Sequence, residues 1–360
     1  MSKAAELAAL IGSGQAQGDK NLIINGAMQV SQRGTSFATM GNGDSQYTLD
    51  RFKWQEAGST TAEMTVTQSS TSPNEFSKSM KVDVTTADTT LGADDLIYIQ
   101  YKNEGNVLGG IAKGTSDAKP LTLSFYVRSN TTGTFVVYLF DADNTRSVSG
   151  TYTINAADTW QRKEVNFPAD TSGALTIDNS HAMSINWVLG AGSNLKSSTL
   201  QTSWGSYDST ALATGSTDIT GSTSNEWLIT GVQLEVGEQA TPFEHRSFAD
   251  DLTACQRYYQ RITADASYTA FATGLCTTTT QMICALKYTT TMRASPTLTQ
   301  SNTGINIQSQ IATASIGTSY LGKDSAFVPV NVSSGLTAGN AGLWNANNNT
   351  AAYVDLTAEL

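Results

Sequence analysis

From Asn21 to about Arg246 the chain reads as one strand after another, with no helical period between them. That excludes a parallel α/β fold, whose strands must be joined by crossover helices. Leu121, Leu123, Phe125 and Val127 point one way, and Thr122, Ser124, Tyr126 and Arg128 point the other. Met183, Ile185, Trp187 and Leu189 alternate in the same manner with Ser184 and Asn186. Met80, Val82 and Val84 alternate with Lys81 and Asp83, and Leu228, Thr230, Val232, Leu234 and Val236 predict a further strand with one apolar face. The run Phe135–Phe140 is apolar on both faces, as expected of a central strand beneath a covering layer. Turn-forming clusters at Asn130–Gly133, Asp141–Asn144, Gly190–Asn194 and Ser222–Asn225 separate these runs. Roughly eight short antiparallel strands over ~220 residues predict a two-sheet sandwich, most simply a jelly roll.

Composition agrees with β-structure. Only 14 % of the 360 residues are charged, and polarity comes instead from Thr, Ser, Asn and Gly. Thr is β-branched, and a sheet can keep one face wet with hydroxyls. The net charge of −10 and the pI near 4.7 argue against nucleic acid or anionic lipid as a partner, since both require a basic footprint. No run of 18 apolar residues and no secretory hydrophobic region is visible, so membrane insertion is not expected and synthesis in a cytosol is. Cys255, Cys276 and Cys284 form no CxxC pair; a Cys276–Cys284 bridge and three reduced thiols fit equally well.

The length allows two or three domains. Residues 1–20 read as a short helix and a polar tether, with Leu7, Ala8 and Ile11 on one stripe as a docking anchor. Residues 21–246 form the jelly-roll domain. Ser247 is a natural N-cap with Asp250 three residues on, and Phe248, Leu252, Cys255 and Tyr259 make a stripe, so 247–263 is expected to be a connector helix. A small C-terminal β domain over 264–360 follows, with strands at Met282–Tyr288, Phe327–Val332 and Tyr353–Leu360 and loops at Gly335–Gly342 and Asn345–Thr350.

Nothing marks a catalytic centre. His181 and His245 have no ligand-spaced partner, and no GxSxG, HExxH or P-loop occurs. The expectation is therefore a protein without catalysis and without a cofactor. A carboxylate pair for glycoside hydrolysis is spatial and not sequential, so a polysaccharide depolymerase stays open as an alternative. Asp141 and Asp143, followed by Asn144, resemble the opening of a calcium loop without its later Gly and Glu. A structural calcium is one reading of them and a hydrogen-bonded turn the other. Sugars are gripped by flat rings with amides beside them. Trp344, with Asn345 and Asn347 in an Asn-rich stretch, and Trp204 with Tyr207 are the candidate carbohydrate contacts.

Two groups of motifs bracket the first domain: Asn21-Leu-Ile-Ile-Asn-Gly-Ala-Met-Gln-Val30, Ser31-Gln-Arg-Gly34 and Tyr47-Thr-Leu-Asp-Arg-Phe52 at its start, then Thr230-Gly-Val-Gln-Leu-Glu-Val-Gly237, Ala240-Thr-Pro-Phe-Glu-His-Arg246 and Cys255-Gln-Arg-Tyr-Tyr259 at its end. In this order they resemble a family of bacteriophage tail-fibre and virion-fibre (spike) proteins with a carbohydrate-binding-module-like jelly roll. The resemblance implies a structural protein at the virion surface, made in the bacterial host cytoplasm. It also implies a homotrimer held to other virion proteins through the N-terminus and attaching to host surface glycan, on the tail or as a capsid-decorating head fibre. Asn25, Asp50, Arg51, Glu235 and His245 within these motifs are expected to be hydrogen-bonding parts of the frame and not ligand contacts.

Overall fold

The computed structural model describes residues 20–41, 43–301, 303–306, 310–311, 314–317 and 319–360. The expected N-terminal helix, with Leu7, Ala8 and Ile11, lies outside the described residues. The described chain is mainly β and falls into two compact units, one ending at Phe248 and one running from Ala249 to Leu360. No described helix is long and apolar enough to cross a membrane.

In the N-terminal unit the described strands are β1 (Ser36–Gly41), β2 (Ser45–Tyr47), β3 (Phe52–Ala57), β4 (Glu63–Ser69), β5 (Ser79–Thr86), β6 (Leu96–Glu104), β7 (Leu121–Ser129), β8 (Gly133–Asp141), β9 (Arg146–Ile154), β10 (Gln161–Phe167), β11 (His181–Ala191), β12 (Gly205–Ser206) and β13 (Glu226–Val236). They form a six-stranded sheet in the order β1-β4-β5-β13-β7-β10 and a seven-stranded sheet in the order β12-β9-β8-β11-β6-β3-β2. All their pairings are antiparallel. This is the expected two-sheet sandwich, with more strands than alternation alone resolves because β1, β2 and β12 are short.

Side-chain period two assigns each strand an inner and an outer row. Leu123, Phe125 and Val127 of β7 meet Ile97, Ile99 and Tyr101 of β6 and Ile185, Trp187 and Leu189 of β11 in one core. Trp187 packs between Phe52 and Phe125, with ring centroids 6.4 and 6.1 Å away. The doubly apolar run in β8 is explained in the same way. Phe135, Val137 and Leu139 enter the main core, while Val136 and Tyr138 face outward with Leu96 and Val188 beneath Leu195, Leu212 and Ala213 of the long β11–β13 connection.

Strand β13 departs from the simple alternation. Trp227 and Ile229 point into the core, and so do Val232 and Leu234. The parity changes because the register with β7 slips between Thr230 and Gln233, a β-bulge in which Gly231 has φ of 62°. A side chain at Gly231 would lie 2.6 Å from the Phe76 ring and 2.9 Å from Tyr126. The first motif fills the gap that the bulge opens. Val232 N donates to Gly26 O (2.9 Å), Leu22 N to Leu234 O (3.0 Å), and Asn21 Nδ2 to Val232 O (3.0 Å). Glu244 accepts from Asn21 N (2.9 Å), while its own amide donates to Gln233 Oε1 (2.8 Å). His245 and Phe243 stack around Phe76 at 5.2 and 5.0 Å.

The helix Phe248–Gln256, all but its first residue in the C-terminal unit, is shorter than the sequence predicts. The expected last turns are instead β14 (Tyr259–Thr263). The later strands are β15 (Ala270–Cys276), β16 (Gln281–Lys287), β17 (Thr297–Ser301), β18 (Gly304–Asn306), β19 (Gln310–Ile311), β20 (Ser315–Ile316), β21 (Tyr320–Leu321), β22 (Ser325–Asn331), β23 (Ala341–Asn345) and β24 (Tyr353–Thr357). β14 and β17 flank β24, and the others form a second sheet in the order β19-β18-β23-β15-β16-β22-β20, with β21 also on β22. The helix stops because pairing with β24 wins over helical spacing. Arg261 clamps Asp355 with two 2.7 Å bonds and stacks on Tyr353 at 4.0 Å. The last strand ends at Thr357, and Ala358 N bonds Tyr258 O at 2.7 Å. All three cysteines are buried, Cys276 and Cys284 as free thiols, and burial with Cys276 nearby pushes Cys284 up to about 12.

Replacing Gly231 by Ala demands positive φ of a non-glycine residue and a clash with two rings. It is expected to lower unfolding free energy by about 2 kcal/mol or more. Gly221, with open space around it, should accept Ala at a cost within about 0.5 kcal/mol. Urea denaturation of both variants is the measurement; equal stabilities would contradict the bulge.

Candidate binding groove on the seven-stranded sheet

The outer face of the seven-stranded sheet is only partly covered, and beside the cover lies a groove of about 430 Å³. Strand register builds it row by row. In the first row Gln55 of β3 lies opposite Tyr98 of β6. In the second, Gln100 faces Asn186 of β11, which faces Tyr138 of β8. In the third, Lys102 faces Ser184, which faces Phe140. The same strands turn Ile97, Ile99, Tyr101, Ile185 and Trp187 into the core, so pleat alternation holds the groove on a rigid floor.

The two sides of the groove differ chemically. Gln55, Gln100 and Lys102 line the β3–β6 side together with Tyr98, and Tyr138, Phe140 and Tyr207 line the opposite side. Gln100 Nε2 donates to Asn186 Oδ1 (2.8 Å), and Asn186 Nδ2 donates to Ser184 Oγ (3.2 Å), which fixes the floor. Tyr207 is held at the rim by its amide on Thr145 O (2.9 Å) and by an edge contact with Phe140 at 5.3 Å. Its side chain is 39 % exposed, whereas Tyr138 is 4 % exposed and belongs to the floor. Burial, followed by the neighbouring Tyr98 and Tyr207, raises the Tyr138 hydroxyl well above its ordinary value, so it stays a neutral donor. Flat rings on one side and amides on the other suit a ligand with apolar C–H faces and hydroxyl edges.

His181 closes one end of the groove. Burial, then the positive charges of Lys102, Arg51 and Lys53, lowers its pKa to about 4. Its Nε2 is buried without a hydrogen-bond partner.

The residues expected from sequence to touch sugar part company in the structure. Tyr207 reaches the groove. Trp204 does not; it packs against the sandwich core, donates Nε1 to Pro168 O (2.9 Å) and lies 4.9 Å beneath the Lys113 ammonium. Trp344 is fully buried in the C-terminal core, 5.9 Å from Phe271, and presents no face to a ligand. The expected loop around it begins with strand β23, whose alternation turns Leu343 out and Trp344 in. Asn345 is buried, and its Oδ1 accepts from Asn347 N (3.0 Å), so these amides shape a turn.

Of the two calcium candidates, Asp141 sits in an ion-pair network and Asp143 does not. The buried Lys113 ammonium lies 2.5 Å from Asp141 and 2.9 Å from Asp170, which also pairs with Arg146 at 2.9 Å. Asp141 further accepts from Asn144 N (3.0 Å) and Asp143 from Thr176 N (2.8 Å). The ammonium also donates to two backbone carbonyls within 3.2 Å, so Asp141 and Asp170 share one fixed cation. No group of three or more His, Cys, Asp or Glu gathers as a metal site among the described residues.

Of the frame residues, Asn25, Asp50, Arg51 and Glu235 are interior, whereas His245 is exposed and packs on Phe76. Asn25 is buried, donates to Val30 O (2.9 Å) and Asp50 O (3.0 Å), and accepts from Val30 N (2.9 Å). Asp50 accepts from Gln32 N (2.6 Å), Arg51 donates to Lys102 O (2.6 Å), and Glu235 accepts from Thr241 N (3.0 Å).

Sequence reasoning missed Tyr98, Gln100, Tyr138, Phe140 and Asn186. One signal was present: Asn186 lies between Ile185 and Trp187 in a strand whose outer face could have been asked what it meets.

No family model matches the chain, and no curated protein matches it. Solved structures with a similar strand arrangement include the enzymatically active domain of bacteriophage CBA120 tailspike protein 4 (13 % identity, 55 % of this chain, 21 % of that one, TM-score 0.30). A putative sugar-binding protein from Bacteroides thetaiotaomicron is 11 % identical over 60 % of this chain and 99 % of its own, with a TM-score of 0.31. The family 11 carbohydrate-binding module from Clostridium thermocellum, in complex with a mixed-linked tetrasaccharide, is 14 % identical over 59 % and 99 %, with a TM-score of 0.28. The chain thus spans about a fifth of the tailspike domain, and at such TM-scores these likenesses decide nothing about what the groove holds.

Acidification tests the His181 environment. Its pKa is lower folded than the ~6.5 of an unfolded histidine, so the unfolded state binds the extra proton between those values. Stability is fully present above pH ~6.5 and is lost as pH falls toward 4. The urea midpoint should fall over that range, and the His181→Gln variant should show a shallower fall.

Proposed function

We propose that this chain is a non-catalytic attachment protein of a phage virion, a fibre or spike that binds host surface glycan through the outer-face groove. The observation that carries glycan binding is the groove itself: Tyr207 and Phe140 as an aromatic side, and Gln100 and Asn186 as a hydrogen-bonding floor, on a surface already rigid before any ligand arrives. Binding without hydrolysis is supported by the lining, which holds no Asp or Glu, whereas glycoside hydrolysis generally needs two carboxyl groups across the scissile bond. The placement at the virion surface rests on the resemblance of the two motif groups. Whether the fibre stands on the tail or decorates the capsid, the groove would act in the same way.

Self-association is supported by a separate feature. The outer face of the larger C-terminal sheet carries Leu275, Leu343, Phe327 and Tyr320 at 53, 38, 55 and 78 % exposure. Register joins them: Leu343 lies opposite Thr273, Thr273 opposite Ala285, Ala285 opposite Phe327, and Phe327 opposite Tyr320. For a chain with net charge −10, an apolar face free of acidic side chains is where copies can approach without repulsion. A trimer would also multiply weak sugar contacts through avidity.

Two measurements test these readings. On a glycan array the wild type should show saturable binding, and Tyr207→Ala should lose it by tenfold or more, about 1.4 kcal/mol, with an unchanged melting temperature. Reducing-end release by the purified protein would refute the non-catalytic reading. In light scattering the wild type should exceed its 38.1 kDa monomer mass, and Phe327→Asp should reduce it to that mass with the circular dichroism spectrum intact. A monomeric wild type at micromolar concentration would refute self-association through this face.

A further inference from the structure

We propose that Lys113 and Asp141 condense with one another into an intramolecular isopeptide bond, with Asp170 carrying the protons. This covalent self-modification is independent of what the groove binds.

The groups that such a reaction needs meet here away from water. Lys113, Asp141 and Asp170 are all buried. Lys113 Nζ lies 2.5 Å from Asp141 Oδ2 and 2.9 Å from Asp170 Oδ2, and the Trp204 ring covers it at 4.9 Å. Ser172 O and Gly173 O accept from the same nitrogen and hold it in place. Reactants fixed in contact behave as if present at about 10⁵ M or more, so a slow bimolecular condensation becomes a local step. Asp141 Oδ1 accepts from Asn144 N (3.0 Å) and Asn144 Nδ2 (3.2 Å), two donors at the atom on which negative charge would grow. Burial alone would raise the Asp170 carboxyl, but its bonds to Arg146, Lys113 and Ser172 N hold it below its ordinary value. Asp170 therefore stands ionised, ready to take a proton.

The reaction balances without any outside reagent. The ammonium of Lys113 first gives one proton to Asp141 Oδ2, leaving a neutral amine beside a neutral carboxyl. The amine lone pair then forms the N–C bond to Asp141 Cγ, and the carbonyl pair moves onto Oδ1. Asp170 takes a proton from the new nitrogen centre and passes it to the Oδ2 hydroxyl. The Cγ–Oδ2 bond breaks, water leaves, and the carbonyl re-forms as an amide. Nothing is oxidised or reduced, and Asp170 ends as it began.

Charge explains why the interior favours the product. An ion pair held away from water costs desolvation of both partners, whereas an amide carries no charge. Condensation removes one positive and one negative group together. Asp170 keeps Arg146, bonded at 2.9 and 3.0 Å, so no buried carboxylate is left without a cation. The bond would tie the segment before β7 to the end of β8, across 28 positions of chain.

The test is intact-mass spectrometry of the denatured full-length protein, followed by trypsin digestion. The wild type should be lighter by one water than its sequence mass. Its digest should contain one branched peptide in which Lys113 is uncut and joined to Asp141. Asp170→Asn, which keeps the shape of the side chain, should carry the full mass, and so should Lys113→Met. A wild type of full mass, both fresh and after prolonged incubation at neutral pH, would overturn the bond and leave a lasting ion pair. Water lost from any other pair of residues would overturn it equally. An Asp170→Asn variant that still joins Lys113 to Asp141 would overturn the part given to Asp170. Should the variants fail to fold, the mass and digest of the wild type decide alone.

Discussion

The N-terminal unit depends on how one strand end is closed. β13 sits inside the six-stranded sheet between β5 and β7, and its bulge at Gly231 breaks the ladder with β7. Broken pairing inside a sheet leaves amide and carbonyl groups that must find other partners. Asn21 to Gly26 supply them, running beside residues 232–234, while Gln233 and Glu244 tie the far end of the unit to the same spot. Residues some 210 positions apart thus satisfy one another, as Asn21 Nδ2 on Val232 O illustrates. Asn21–Gly26 and the stretch from Val232 to Glu244 are two halves of one closure, which explains why Asn21, Asn25, Gln233 and Glu235 are polar yet buried.

The groove exists because the two faces of the other sheet have different obligations. Its inner rows are committed to the core by Ile97, Ile99, Ile185 and Trp187, so the outer rows are free to carry chemistry. The connection between β11 and β13 covers part of that outer face, burying Val136 and Val188 under Leu195 and Leu212. Where the cover ends, the outer rows change from aliphatic to aromatic and amide. A binding surface made in this way costs little conformational entropy on binding, since its floor is hydrogen-bonded and its rings are packed from below.

Buried charge in this unit has structural work to do. Lys113, Asp141, Asp170 and Arg146 form one network at the turn after β8, with Trp204 laid against the ammonium. Removing Lys113 would leave the buried Asp141 without its cation, so the network pins the turn that leads into Thr145 and, through it, the rim residue Tyr207.

Strand identity was legible in the sequence because a half-buried strand must alternate: Leu121–Arg128 and Met183–Leu189 announce β7 and β11, and the doubly apolar Phe135–Phe140 announces a covered central strand. The interior role of Asn25, Asp50 and Arg51 could be read in the same way, since the motifs were polar without any catalytic spacing. What sequence could not supply was pairing. Helical and strand spacing are both compatible with 257–263, and only β24 across the sheet makes it a strand. The bulge at Gly231 reverses the parity of β13, a change invisible until β7 lies beside it. Trp344 stands among asparagines in sequence but faces the core once β23 pairs with β15. The groove was hidden for the same reason: Gln55, Gln100, Asn186 and Tyr138 come from four strands, and they share one surface only because hydrogen-bonded register places them there. Local alternation says which way a side chain points, whereas its neighbours are decided by the strands that the chain brings alongside.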